Sequence, residues 1–319
     1  MIYPSLLYFV WSLAFPIGKS LLEISPPIFL TGVRMILGAF FLLGFISIFQ
    51  RKSLQKISLK GMIALGILGF FSIFLTNILE FWSLRQLSSA KTCFLYSLSP
   101  FITAILSYFH FKEKMTIKKW IGIVIGMFGF IPVLMLNEGT GSFKSLFSIS
   151  LPELSMFGAV FFAVYGWIIL RMLVKDEKIS PQMANGISML IGGVISLIVS
   201  LFIDSWHPIP VKPGSFGTFA ATLLSLTIIS NIFCYNLYGY LLKKYTATLL
   251  SFFGLLSPIF ASIHGYLILN EPISPVIFLS TAIVLLGLRI VYGEELKLGY
   301  IQKRGTSLPS AQSDSLQKA

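Results

Sequence analysis

LSPFITAILSYFHFKE, from Leu98 to Glu113, returns as LSPIFASIHGYLILNE from Leu256 to Glu271. A single shift of 158 residues superimposes Leu-Ser-Pro, a tyrosine (Tyr108 and Tyr266) and the closing glutamate. Each copy leads into another apolar segment with a glycine at the same offset, Gly129 and Gly287. A long fixed period marks a duplicated architecture, so the chain reads as two related halves.

The surroundings of both copies are apolar. With 319 residues, 55% hydrophobic, 15% aromatic and 11% charged, and a mean hydropathy of +0.86, too few polar side chains exist to cover a water-soluble globule. The composition is that of an all-α polytopic membrane protein, in which lipid-facing surface replaces a polar exterior. A hydrocarbon core of about 30 Å needs about 20 apolar residues in a helix. Ten stretches qualify: 2–22, 27–50, 60–83, 89–110, 117–137, 154–174, 182–203, 216–241, 247–269 and 274–293. They divide into a five-helix repeat over 1–137, a loop over 138–153, a second five-helix repeat over 154–293, and a polar tail over 294–319 expected to be disordered. The N-terminus, MIYPSLLYFVW, has no basic leader or small-residue cleavage site, so its segment reads as a retained membrane helix.

Charge sets the orientation. Placing the N-terminus inside puts 17 Lys and Arg on the cytoplasmic side and five, Lys19, Arg85, Lys91, Lys144 and Lys212, on the other, with Arg34 and Arg289 inside helices. That bias predicts that both termini are cytoplasmic. Five helices per half is an odd number, so the second repeat enters from the opposite face and the repeats are inverted. Consistently, FKEKMTIKKW after the first motif is basic, whereas NEPISP after the second has no Lys or Arg.

The net charge of +12 is spread over short gaps between apolar runs and does not form the clustered face that nucleic-acid binding requires. Cys93 and Cys234 lie in apolar segments at unrelated repeat positions and read as small buried hydrophobes. The chain has no HExxH, no phosphate loop, no cysteine cluster and no Asp inside a helix. An ATP-driven pump, a metal enzyme or an intramembrane protease would need one of these, so the expectation is a protein that is not an enzyme and has no metal or cofactor.

Inverted repeats open one midplane site to each side in turn, which points to transport. Pro100 and Pro258, each preceded by a serine (Ser99 and Ser257), fall halfway along the fourth and ninth helices, where a break is tolerated only against protein or a water-filled cavity. In the third helix Asn77 and Glu80 share a face, and the same shift relates them to Tyr235 and Tyr238 of the eighth, with Asn231 one turn earlier. A carboxylate so deep needs water, a partner or a ligand. Glu80 is therefore the candidate contact for a cationic group or a coupling proton, unless it reaches the interface or pairs with Arg34 or Arg85. Arg34 reads first as a structural ion-pair partner and second as a contact for a substrate carboxylate. Lys19 reads as snorkelling. Trp11, Phe15, Tyr96, Tyr165 and Trp167 form a candidate aromatic box for a flat ring or a cation, with Trp11, Tyr96 and Tyr165 the preferred members. His110 and His264 read as packing residues.

Trp11-Ser12 early in the first helix, Pro27 then Arg34 in the second, and LSP with a glutamate thirteen residues after its proline, repeated more weakly, resemble the EamA-type, ten-helix branch of the drug/metabolite transporter superfamily. The likeness covers about residues 4–293; departures are Ser188 where an arginine would match Arg34, and the polar Glu80. It implies a central cavity lined by the first, third, fourth, sixth, eighth and ninth helices. Within the family the chain is most similar in general character to carriers of obligate intracellular bacteria that take up S-adenosylmethionine in exchange for S-adenosylhomocysteine. That substrate would offer a sulfonium to Glu80 or an aromatic face, adenine to Trp11, Tyr96 or Tyr165, and amino and carboxylate groups to Asn77, Tyr235 or Arg34. Proton-coupled efflux of amino acids or toxic amphiphiles uses many of the same groups and stays open, as does a membrane-embedded enzyme or assembly factor. Oligomeric state is not legible.

Overall fold

The computed structural model describes residues 2–49, 57–111, 115–135, 149–242, 250 and 253–298. Among them every regular element is helical. Nine helices are long and apolar enough to cross a membrane: α1 (Tyr3–Leu22), α2 (Pro27–Phe49), α3 (Leu59–Leu84), α4 (Ser89–His110), α5 (Ile117–Met135), α6 (Leu151–Lys175), α7 (Pro181–Ile203), α8 (Phe216–Leu241) and α10 (Pro275–Glu294). The shorter α9 (Gly254–Leu269) completes a ten-helix membrane protein; residues 247–249 and 251–252 of the span expected there lie outside the described residues.

Two boundaries differ from expectation. Helix α6 starts at Leu151, inside the expected loop, because Ser150 and Glu153 form a capping box that satisfies free amides of its first turn. At the other end helix continues to Lys297, while 299–319, the rest of the expected disordered tail, lie outside the described residues. Helix starts elsewhere use the same chemistry: Ser58, Ser88, Thr116 and Ser180 each accept an amide N–H from three residues on.

Among the described residues four helices are broken, and each break has a proline in the first turn of its second piece. Helix α1 divides into Ile2–Ser12 and Ala14–Leu22 before Pro16, and α4 into Ser89–Tyr96 and Ser99–Phe111 before Pro100. In α5 the pieces are Ile117–Phe128 and Ile131–Met135, with Pro132, and in α9 a short 3-10 turn, Gly254–Leu256, precedes Ser257–Leu269 and Pro258. Proline has no N–H to offer the carbonyl four residues back, so the ladder opens one turn before it.

Helices α3 and α8 are wound differently. Gly69–Leu75 and Thr227–Cys234 adopt i→i+5 bonding, and their first residues are related by the same shift of 158. Wide turns expose carbonyls, which side chains cover: Thr76 Oγ1 donates to Phe71 O, Asn77 Nδ2 to Ser72 O and Ile73 O, and Asn236 Nδ2 to Asn231 O and Ile232 O.

Helix α2 packs on α7, α5 on α10, α3 on α6, α4 on α9 and α1 on α8; α3 also meets α7 as α8 meets α2, and α1 meets α9 as α6 meets α4. Advancing each helix number by five maps this pattern onto itself. Glycines permit close approach in the α5–α10 and α2–α7 seams. A Cβ on Gly122 would lie 2.6 Å from Gly287 O, and one on Gly193 would lie 2.8 Å from Ile36. Large apolar side chains such as Phe40, Phe109 and Phe202 face outward, as a lipid environment requires.

Candidate functional site

Helices α1, α3, α4, α6, α8 and α9, with α2 behind, enclose a cavity of about 50 Å³, room for a few waters. Its lining includes Trp11, Asn77, Glu80, Tyr96, Ser99, Tyr235, Ser257 and Arg34, all anticipated in sequence, and also Phe15 and Trp167 of the aromatic set. A larger solute needs these walls to part.

One wall is polar. Arg34, buried in α2, donates through Nη2 to Asn77 Oδ1 and lies 4.6 Å from the centre of the Phe81 ring. Glu80 therefore does not pair with Arg34 or Arg85; its carboxyl makes no hydrogen bond or ion pair with the described residues. Glu80 is half-buried, whereas Nε of Arg34 and the hydroxyl of Tyr8 are buried without a hydrogen-bond partner there. Such groups cost free energy unless water or a ligand satisfies them.

The facing wall is aromatic. Phe15 meets Tyr96 at 6.3 Å between centroids, Tyr96 meets Trp167 at 6.1 Å, Trp167 meets Tyr238 at 5.2 Å, and Trp11 meets Tyr238 at 5.8 Å and Tyr235 at 5.6 Å. The two half-helix starts edge the cavity through Ser99 and Ser257, beside Pro100 and Pro258.

Three anticipated contacts fall outside the lining. Tyr165 points away, packing on Phe71 and His110 at 5.9 Å each; it lies two residues from Trp167, which puts it on a different side of α6. Tyr238 is fully buried behind Trp11 and Trp167 and supports them. Asn231, inside the wide turn of α8, donates to Met35 Sδ at 2.9 Å in the seam with α2.

Sequence reading missed Tyr8, Ser12, Ala14, Phe81, Cys93, Ser97, Ser230 and Gly254 as lining residues. A usable signal existed for one of them. Gly254 is the repeat partner of Tyr96, and its missing side chain makes the space Tyr8 occupies, since a Cβ there would sit 3.1 Å from the Tyr8 ring. Lys19 does not snorkel freely: its Nζ bonds Glu271 Oε1 at 2.7 Å and Leu87 O at 2.8 Å.

A ten-helix membrane protein with a polar and aromatic cavity at its centre, and without a cluster of metal-binding side chains among the described residues, has the form of a small-molecule carrier. The model of the EamA-like transporter family matches residues 2–135 and 150–293, and the chain belongs to that family. It is a transporter, not an enzyme. An S-adenosylmethionine/S-adenosylhomocysteine transporter of Chlamydia muridarum is 36% identical over 92% of this chain and 91% of its own. One of the same description from Chlamydia trachomatis serovar L2 is 36% identical over 92% and 89%. A solved protein structure superimposes with a TM-score of 0.65 over 92% of this chain and 98% of its own at 15% identity, which shows the fold alone.

Proposed function

We propose that this transporter carries S-adenosylmethionine across the inner membrane in exchange for S-adenosylhomocysteine, by alternating access between two inverted repeats with both termini cytoplasmic. The observation that carries the substrate is a carboxylate, Glu80, that makes no hydrogen bond or ion pair with the described residues and shares one cavity with a set of aromatic rings. A sulfonium gains from a carboxylate and from ring faces, and adenine stacks on Trp11, Tyr96 or Trp167. Arg34, released from Asn77, suits the α-carboxylate. The two chlamydial relatives support the same substrate pair. The helix pairing that maps onto itself, and wide turns at equivalent offsets, support the repeat relation that alternation requires.

Uptake of labelled S-adenosylmethionine into proteoliposomes, challenged in turn with S-adenosylhomocysteine, amino acids and nucleotides, tests the assignment. Competition by S-adenosylhomocysteine alone is the expected result. Competition by free amino acids and not by S-adenosylhomocysteine would move the reading to amino-acid efflux.

A further inference from the structure

Above the cavity, on the face that carries Lys19, a single carboxylate holds three helices together. Glu271 comes directly after Asn270, whose left-handed φ of 55° turns the chain back over α9. The side chain then lies across Gly265, where a Cβ would stand 2.7 Å from Oε2. Both carboxylate oxygens accept the Ser89 amide, at 3.1 and 3.0 Å, at the N-terminus of α4, and Oε1 also accepts from Lys19 of α1. Negative charge at a helix start and a cation within 3 Å are both stabilising there.

The segments so joined are Ala14–Leu22, Ser89–Tyr96 and Ser257–Leu269, and each is severed from the rest of its helix, or from the turn before it, at the cavity. Each can therefore tilt as a unit. Between latch and cavity lies an apolar plug: Phe15 and Phe81 line the cavity and cluster with Leu21, Leu22 and Leu84. On the other side Lys19 and Leu22 border a solvent-open hollow of about 410 Å³ shared with Glu23, Arg85 and Lys212. The repeat position of Lys19 is Glu177, an acid, so the opposite closure is not a copy of this one.

We infer that Lys19 and Glu271 form the latch of the outer gate, holding the broken outer segments of α1, α4 and α9 over the plug, and that their separation opens the cavity to this face. The inference rests on the transport reading for its purpose, while its test does not use transport. Cys93 lines the cavity and Cys234 is buried outside it, so a membrane-impermeant thiol reagent reports opening at the first and unfolding at the second. Added from the Lys19 face of proteoliposomes, it should label Cys93 slowly in the unaltered protein. Glu271→Gln keeps an oxygen for the Ser89 amide but removes the charge, and Lys19→Gln removes its partner. Both should speed Cys93 labelling by about tenfold without exposing Cys234, whereas Lys19→Arg should not. Unchanged Cys93 rates, equal acceleration from the opposite face, or equal labelling of both cysteines in both neutral variants would overturn the latch. Faster Cys93 labelling in a protein that exchanges no substrate would keep the latch and remove the proposed function; unchanged labelling with exchange intact would do the reverse.

Discussion

Glu80 and Arg34 share a wall of the cavity yet do not bond each other: the guanidinium donates to Asn77 and lies over the face of Phe81. A carboxyl left without a partner inside a membrane protein is costly, and a cationic substrate removes the cost. Replacing Glu80 with Gln should cut S-adenosylmethionine uptake by about tenfold or more, equivalent to about 1.4 kcal/mol of binding, while uptake of uncharged-sulfur S-adenosylhomocysteine changes far less. Equal loss for both would take the sulfonium away from Glu80. The aromatic wall gives a second comparison: Trp11→Ala should lower uptake by about tenfold, whereas Tyr165→Ala, on a ring packed against Phe71, should stay within about twofold. At this scale the sequence showed polar residues well, since Asn77, Glu80 and Arg34 are rare in apolar helices. Aromatic residues are too common for that argument. Tyr165 and Trp167 differ only in which side of α6 they occupy, and that depends on tertiary packing.

Among the elements, Pro100 and Pro258 announced the breaks in α4 and α9, since proline removes a helical donor wherever it stands. Pro16 and Pro132 carried the same information, and α1 and α5 break there too. The wide turns in α3 and α8 had no such marker. They begin at Gly69 and Thr227, residues an ordinary helix accepts, and they are held by side chains that reach back four or five residues. Each extra residue in a turn rotates the downstream helix by about 100°, so upstream periodicity misplaces its face. Asn231, inside the wide turn of α8, faces Met35 and not the cavity. Asn236 tests the bracing role away from the cavity lining. Asn236→Ala uncovers two carbonyls and should destabilise the protein by about 1–2 kcal/mol in detergent melting, with transport of the surviving protein retained. An unaltered melting temperature would show that water covers those carbonyls equally well.

For the whole molecule, a repeated sixteen-residue motif and hydropathy were enough to give ten helices, and glycines at equal offsets foreshadowed the seam between α5 and α10. The volume of the cavity was not legible, because it depends on how six helices pack together. Its walls are built from broken helices whose pieces meet at the cavity, which is the construction the proposed alternation would use. Exchange results if the emptied cavity closes poorly around Glu80 and Arg34, so that return requires a second solute. Proteoliposomes loaded with unlabelled S-adenosylhomocysteine, and matched empty ones, measure this directly. Labelled S-adenosylmethionine should accumulate in the loaded vesicles and barely enter the empty ones; equal entry into both, or entry into neither, would contradict the account.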